Sequence, residues 1–165
     1  MPDETRPAET TPRPPAALTA APGYQVRRLY QAYLAVWLRE VDPVLTGPQF
    51  AVLQTIQAHP GRDQRSLASA VALDTSTMAD VAKRLENRGL ITRQTAADDG
   101  RRKLLHLTED GENVLREADQ RARSLDKLLL EPFGEAERST YLHMLTSLAD
   151  HWVGLAEGPQ PPPSR

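Results

Sequence analysis

The chain has 165 residues, with 20 Lys and Arg against 22 Asp and Glu, a formal net charge of −2, and no cysteine. That length suits one domain with tails and a real hydrophobic core, and the missing thiols exclude disulfide scaffolds, Cys-ligated zinc, iron–sulfur clusters and thiol switches. The longest apolar run, Ala32 to Leu38, is about seven residues, far short of a membrane span. With no apolar segment behind a basic start to mark a secretion signal, the expectation is a cytoplasmic protein with no membrane partner.

Residues 1–23 are rich in Pro, Thr and Ala and carry one isolated Leu, too little apolar surface to offset the entropy of ordering. They read as a disordered tail, as do residues 158–165. Between them helical periodicity dominates. Val26, Leu29, Tyr30, Tyr33, Leu34, Trp37 and Val41 recur at three/four spacing, a helix over about 24–40 that Asp42-Pro43 ends. Thr46-Gly47-Pro48-Gln49 offers a capping box and a first-turn proline for a second helix, with Phe50, Leu53 and Ile56 inward and His59-Pro60-Gly61 as its stop. Asp63 caps a short helix holding Leu67, Ala68 and Val71. Asp74 caps another with Met78, Val81, Ala82 and Leu85 inward and Gly89 at the left-handed end position.

The period then changes. Leu90–Thr95 and Lys103–Leu107 read as strands, with Asp98-Asp99-Gly100 supplying turn chemistry. Thr108 caps a long helix with Glu109, Asp110 and Glu112 in its first turn, where negative charge favours the helix dipole. Leu115, Ala118, Ala122, Leu125 and Leu129 line it as far as Pro132. A last helix, about 135–156, gathers Leu142, Leu145, Leu148, Ala149 and Trp152 on one side. The expected fold is mainly α with one β-hairpin wing, a winged helix-turn-helix flanked by N- and C-terminal dimerisation helices.

Two helices joined by a short turn and followed by a hairpin are the sequence shape of a winged helix-turn-helix. The second of the pair, over 75–87, exposes Thr75, Ser76, Thr77, Asp80, Lys83 and Arg84, with Arg88 at its end. Small hydroxyl residues permit close approach to a groove, and the cations can reach phosphates or guanine edges. The hairpin tip holds Asp98, Asp99, Arg101, Arg102 and Lys103, and an arginine on such a tip suits the negative potential of a narrow minor groove. Any amphipathic surface helix could show the first pattern, and an ordinary polar turn explains Asp-Gly but less easily three consecutive cations. The candidate DNA contacts are Ser66, Thr75, Ser76, Thr77, Asp80, Lys83, Arg84, Arg88, Asp99, Arg101 and Arg102.

Residues 45–111 resemble the MarR family of bacterial transcriptional regulators. The matching segments are Leu45–Leu53, Asp63–Ala68, Asp74–Thr77, Arg84–Ile91, Asp99–Arg102 and Leu107–Gly111, in the family's order and spacing. The flanking helices extend the match over 24–157, with a winged helix over about 46–108 and dimerisation helices over about 24–42 and 109–157. The resemblance implies a homodimer that binds double-stranded operator DNA, represses nearby genes and is released by a small ligand. It makes Asp99 and Arg101 the wing-tip acid and the groove-inserting arginine, with Gly100 standing where many members carry a basic residue. Bulky residues on the outer helices, Tyr30, Tyr33, Trp37 and Trp152, favour a dimer independently, although they could also be intramolecular core.

Arg27-Arg28-Leu29 is similar to the first helix of the family's aromatic-acid-responsive, protocatechuate-regulator-like branch, where an arginine meets a ligand carboxylate and a histidine two turns on meets a ring hydroxyl. Tyr33 stands in the histidine's place here. The resemblance thus implies a small aromatic carboxylate effector held by Arg27, Tyr33 and Trp37, a set whose chemistry fits; pairing of the arginines with nearby acids is the plain alternative. No HExxH, P-loop, GxGxxG or GxSxG pattern is present, and His143 and His151 lie two helical turns apart, too far to share a metal. No enzyme, metal site or cofactor is expected. The competing class is a winged-helix protein–protein adaptor without sequence-specific DNA binding, against which Lys83, Arg84 and Arg88 stand.

Net charge of −2 argues weakly against nucleic acid only when taken whole. Residues 62–103 hold nine basic and six acidic residues, a net +3, whereas 104–157 hold five basic and eleven acidic, a net −6. The near-neutral total hides a dipolar molecule whose positive part is the winged helix.

Overall fold

The structure, a computed structural model, describes residues 12–158. The element order is α1 (Ala16–Thr19), α2 (Pro22–Glu40), α3 (Gly47–Ala58), α4 (Gln64–Ala70), α5 (Thr75–Asn87), β1 (Ile91–Thr95), β2 (Lys103–Leu107), α6 (Glu109–Leu129) and α7 (Glu135–Glu157). A mainly helical chain with one hairpin is thus what forms. The tail reading for residues 1–11 and 159–165 lies outside the described residues. Inside the N-terminal stretch one correction is needed: residues 16–19 form a helical turn and α2 starts at Pro22. Two prolines of this stretch serve as helix starters, Pro15 at the N-cap of α1 and Pro22 at the first position of α2, where no backbone donor is required.

The local signals act as their chemistry dictates. Thr46 and Gln49 close a reciprocal capping box: the Gln49 backbone N–H donates to the Thr46 hydroxyl oxygen at 3.4 Å, and the Thr46 N–H donates to Gln49 Oε1 at 3.1 Å. α5 ends in a Schellman motif, with Leu90 N–H donating to the Leu85 carbonyl (3.0 Å) and Gly89 N–H to that of Glu86 (2.8 Å). Gly89 sits at φ +72°, a conformation glycine adopts without penalty.

The chain divides into two compact units within α6, between Ala118 and Asp119. In the first, Leu53 and Ile56 of α3, Leu67 of α4, Met78, Ala82 and Leu85 of α5, Ile91 and Leu105 of the hairpin and Leu115 of α6 are all buried. The strands pair antiparallel from Ile91 opposite Leu107 to Thr95 opposite Lys103. The α3–α4 connection adds to the free edge of β2: Gly61 N–H donates to Leu105 O at 3.0 Å and Leu105 N–H to Arg62 O at 3.1 Å. The wing is therefore anchored to the segment that leads into α4.

In the second unit, Phe133 stacks on Tyr141 with centroids 4.9 Å apart, and Arg138 Nε donates to the carbonyls of Leu130 (3.2 Å) and Phe133 (3.0 Å). The Glu137 carboxylate accepts from Gly134 N–H at 2.8 Å, capping α7. Leu142, Met144, Leu145, Leu148, Trp152 and Val153 of α7 stay exposed.

One backbone contact permits no side chain. A Cβ at Gly111, in the first turn of α6, would lie 2.0 Å from the Leu90 carbonyl oxygen. Gly111→Ala is expected to destabilise the protein by about 3 kcal/mol, the upper end of overpacking penalties, read as a fall in urea midpoint. An Ala substitution at Gly100, where nothing lies within 4 Å of the added carbon, is the control.

Candidate DNA-binding interface and effector site

The helix-turn-helix is set by two aspartates. Asp63 caps α4, its Oδ1 accepting from Ser66 N–H (3.0 Å) and its Oδ2 from the Ser66 hydroxyl (2.8 Å). Asp74 caps α5, accepting from the N–H groups of Ser76 and Thr77, each at 2.9 Å. Between them Ala72 adopts φ +52°, and Leu73 N–H returns to Ala68 O at 3.0 Å, closing the turn. Thr75, Ser76, Thr77, Asp80, Lys83 and Arg84 are exposed on α5.

The wing carries its tip on a loop closed by Ala96 N–H to Arg102 O at 3.0 Å. Asp99 Oδ1 accepts from the Arg101 backbone N–H at 2.9 Å, so Asp99 orients the main chain of Arg101 and leaves that exposed side chain projecting from the tip. Lower on the wing, Lys103 Nζ donates to Thr95 Oγ1 at 2.7 Å. At its base Arg93 donates to Glu86 Oε2, from Nε at 2.7 Å and also from Nη2, joining β1 to the last turn of α5.

These elements enclose a groove of about 520 Å³ lined by Gln64, Arg65, Thr75, Met78, Arg101 and Lys103, among others. The start of α5 and the wing arginine thus face one space. Of the sequence-predicted contacts, Arg102 lines the groove while it donates to Asp98 at 3.1 Å and lies 3.7 Å from Asp63, bracing the wing against the α4 cap. Arg88 Nη1 reaches back to Gln49 Oε1 at 3.4 Å, toward the start of α3 and away from the groove. The Ser66 hydroxyl proton goes to Asp63. Gln64 and Arg65 also line the groove; a cation in the first turn of α4, where the helix dipole disfavours it, is the sequence signal for Arg65.

The three residues read as an effector site do not form one open surface. Trp37 is 3% exposed, donates from Nε1 to Leu45 O at 2.6 Å and packs its ring 5.2 Å from Phe50 and 5.7 Å from Tyr33. Its polar group and its faces are occupied by the chain itself, which corrects its reading as a ligand wall: it is core. Tyr33 is half-buried with its hydroxyl directed at Gly47. Arg27 and Arg28 are exposed, each guanidinium 5.8 Å from the Tyr24 ring centroid, and they line a concavity of about 460 Å³ with Tyr24, Leu29 and Gln31. Among the described residues no cluster of three or more potential metal ligands occurs, and no helix is long and apolar enough to cross a membrane.

A capped two-helix unit whose second helix shares a basic groove with a wing arginine defines a winged-helix DNA-binding regulator. The MarR family description matches residues 45–103. The transcriptional regulator HosA of Escherichia coli O127:H6 is 35% identical over 76% of this chain and 92% of its own length. The PcaV regulator of Streptomyces coelicolor, solved in complex with its natural ligand, superposes with a TM-score of 0.79 at 37% identity, covering 84% of this chain and 98% of that one. The repressor CouR bound to a 23-mer DNA duplex gives a TM-score of 0.76 at 30% identity, over 84% and 99% of the two chains. CouR bound to p-coumaroyl-CoA gives 0.74 at 29%, over 81% and 95%. The chain belongs to the MarR family and is a transcriptional regulator.

The Glu86–Arg93 pair sets an acid dependence. Hydrogen bonding to Arg93 holds the Glu86 carboxyl below its usual range, so its contribution to stability is complete above the unfolded carboxylate pKa of about 4.3 and is lost as pH falls through the lower folded value. Glu86→Gln is expected to lower stability at pH 7 and to flatten the decline of the urea midpoint below about pH 5. An acid limb as steep as the parent's would remove Glu86 from that role.

Proposed function

We propose that the protein is a homodimeric repressor that binds a pseudo-palindromic operator and leaves it when a small aromatic carboxylate binds near Arg27. The observation that carries the DNA half is the shared groove, which sets Arg101 of the wing beside the first turn of α5. Half-sites would be spaced by about one turn of the duplex. Arg101→Ala is expected to weaken operator binding about tenfold and to reduce the salt slope by about one unit, as loss of one charge contact does. Titration at several salt concentrations reads both, and an unchanged slope would remove Arg101 from the interface.

Exposed apolar side chains support the dimer. Val26, Leu29 and Tyr30 of α2 and Leu142, Met144 and Leu145 of α7 stay exposed, and apolar stripes at helical spacing find cover against a second copy. Light scattering is expected to give twice the 18.3 kDa chain mass.

For the effector, Arg27 and Arg28 offer guanidinium to a carboxylate beside the ring of Tyr24. The concavity they line draws every wall from α2, so a second surface is needed to enclose a ligand, and the partner subunit would supply it. PcaV and CouR, each solved with a small molecule, support a ligand-responsive reading. A thermal-shift screen of hydroxybenzoates, hydroxycinnamates and their CoA thioesters, repeated in an operator-release assay, tests it. A carboxylate hit should raise the melting temperature of the parent, and Arg27→Ala should lose that rise while retaining operator affinity. A normal response in Arg27→Ala would move the carboxylate site elsewhere. Mobility shift with DNA upstream of the protein's own gene separates this reading from a winged-helix adaptor.

A further inference from the structure

Asp74 does more at the start of α5 than cap it. Its Oδ1 accepts from the backbone N–H groups of Ser76 and Thr77 and from the Ser76 hydroxyl at 2.5 Å, and its Oδ2 accepts from the Thr77 hydroxyl at 2.5 Å. Four converging donors hold this carboxyl far below the usual carboxylate range, so it is ionised and can only accept. A hydroxyl has a single proton. Those of Ser76 and Thr77 both point at Asp74, which leaves lone pairs facing outward. At Ser76 and Thr77 the exposed tip of the recognition helix therefore presents hydroxyl acceptors, with the backbone donors of both residues already taken.

That polarity constrains what the tip can meet. Phosphate oxygens are acceptors too, and a carboxylate repels them, so the Ser76 and Thr77 hydroxyls are unsuited to the DNA backbone. Phosphate contacts fall to cations such as Arg65 and Arg101 across the groove. In the major groove the donors available are the N6 amino group of adenine and the N4 amino group of cytosine. The same groove receives Thr75 and the wing, and CouR, of the same fold, is solved on a DNA duplex, so the tip lies where duplex is received.

We propose that Asp74 is a specificity-determining positioning residue, which fixes Ser76 and Thr77 as acceptors so that the recognition helix selects exocyclic amino groups and rejects guanine O6, thymine O4 and purine N7. This rests on the reading of the chain as a sequence-specific DNA-binding protein. Asp74→Asn offers an isosteric test. The two backbone donors hold Oδ1 as the oxygen, so the amide nitrogen replaces Oδ2 and donates to Thr77 Oγ1, turning the threonine proton outward.

The experiment begins with in vitro selection of duplexes from random DNA by the full chain, for the parent, Ser76→Ala, Thr77→Val and Asp74→Asn. Both hydroxyl deletions leave the backbone caps to Asp74 in place. Every base pair carries both an amino group and a keto oxygen in the major groove, so the selected motif is then probed with modified bases. N6-methyladenine or N4-methylcytosine removes the major-groove amino donor, and 7-deazapurines remove the N7 acceptor.

At positions that respond to Ser76→Ala or Thr77→Val, N-methylation is expected to weaken parent binding roughly three- to tenfold, the worth of one hydrogen bond, and to have no effect on the matching deletion. Asp74→Asn should lose the N-methyl penalty at the Thr77 position and gain sensitivity to 7-deazapurine there. Sensitivity of the parent to 7-deazapurine with indifference to N-methylation would overturn the proposal while leaving sequence-specific binding intact. So would an Asp74→Asn profile identical to the parent's. Enrichment of no motif by the parent would overturn both readings.

Discussion

The carbonyl of Leu90 is the point on which the DNA-binding unit is assembled. It accepts the Thr108 N–H at 3.1 Å, while the neighbouring Gly89 carbonyl accepts the Thr108 hydroxyl at 2.6 Å and that hydroxyl oxygen caps Gly111 N–H at 3.0 Å. Leu90 N–H closes the end of α5, and strand pairing begins one residue on, at Ile91 opposite Leu107. Recognition helix, wing and α6 therefore share one small cluster of backbone groups, and the close approach demands glycine at 111. The aim of the wing relative to α5 is set there and at the Glu86–Arg93 pair, before any contact with DNA.

What could be read from the sequence was local. Thr46 with Gln49, Asp63, Asp74, Gly89 and Thr108 each act within a few residues, and all mark helix ends where the structure has them. The two strands of the hairpin were legible because β-favouring residues flank an Asp-Gly turn, while their register comes from the fold. What could not be read depends on distant partners. Arg88 meets Gln49 across 39 positions of sequence, and Arg102 meets Asp63, so neither cation is as available as composition implies. Trp37 follows the apolar stripe of α2, but only folding shows that Leu45 takes its indole proton. The turn at 16–19 is not legible because a Pro- and Ala-rich stretch has the composition of a tail, and only the fold shows Pro15 starting a helix.

Acidic residues in a DNA-facing unit look like a liability until their partners are counted. Asp63 and Asp74 cap helices, Glu86 holds Arg93, Asp98 holds Arg102 and Asp99 holds the backbone of Arg101. Each carboxylate fixes a group of the winged helix, and the cations exposed along the groove, Arg65, Arg101, Arg102 and Lys103, set its positive potential.

Trp37 and Trp152 are the two tryptophans of the chain, one in each unit, and they differ sharply in surroundings: 3% against 36% exposed. An indole sealed among Phe50 and Tyr33 emits further to the blue than one that meets water, so the two units carry separate optical labels. Replacing Trp152 by phenylalanine leaves an intrinsic lamp on α2, two to three turns from Arg27, that reports rearrangement there in a single cuvette without any added dye.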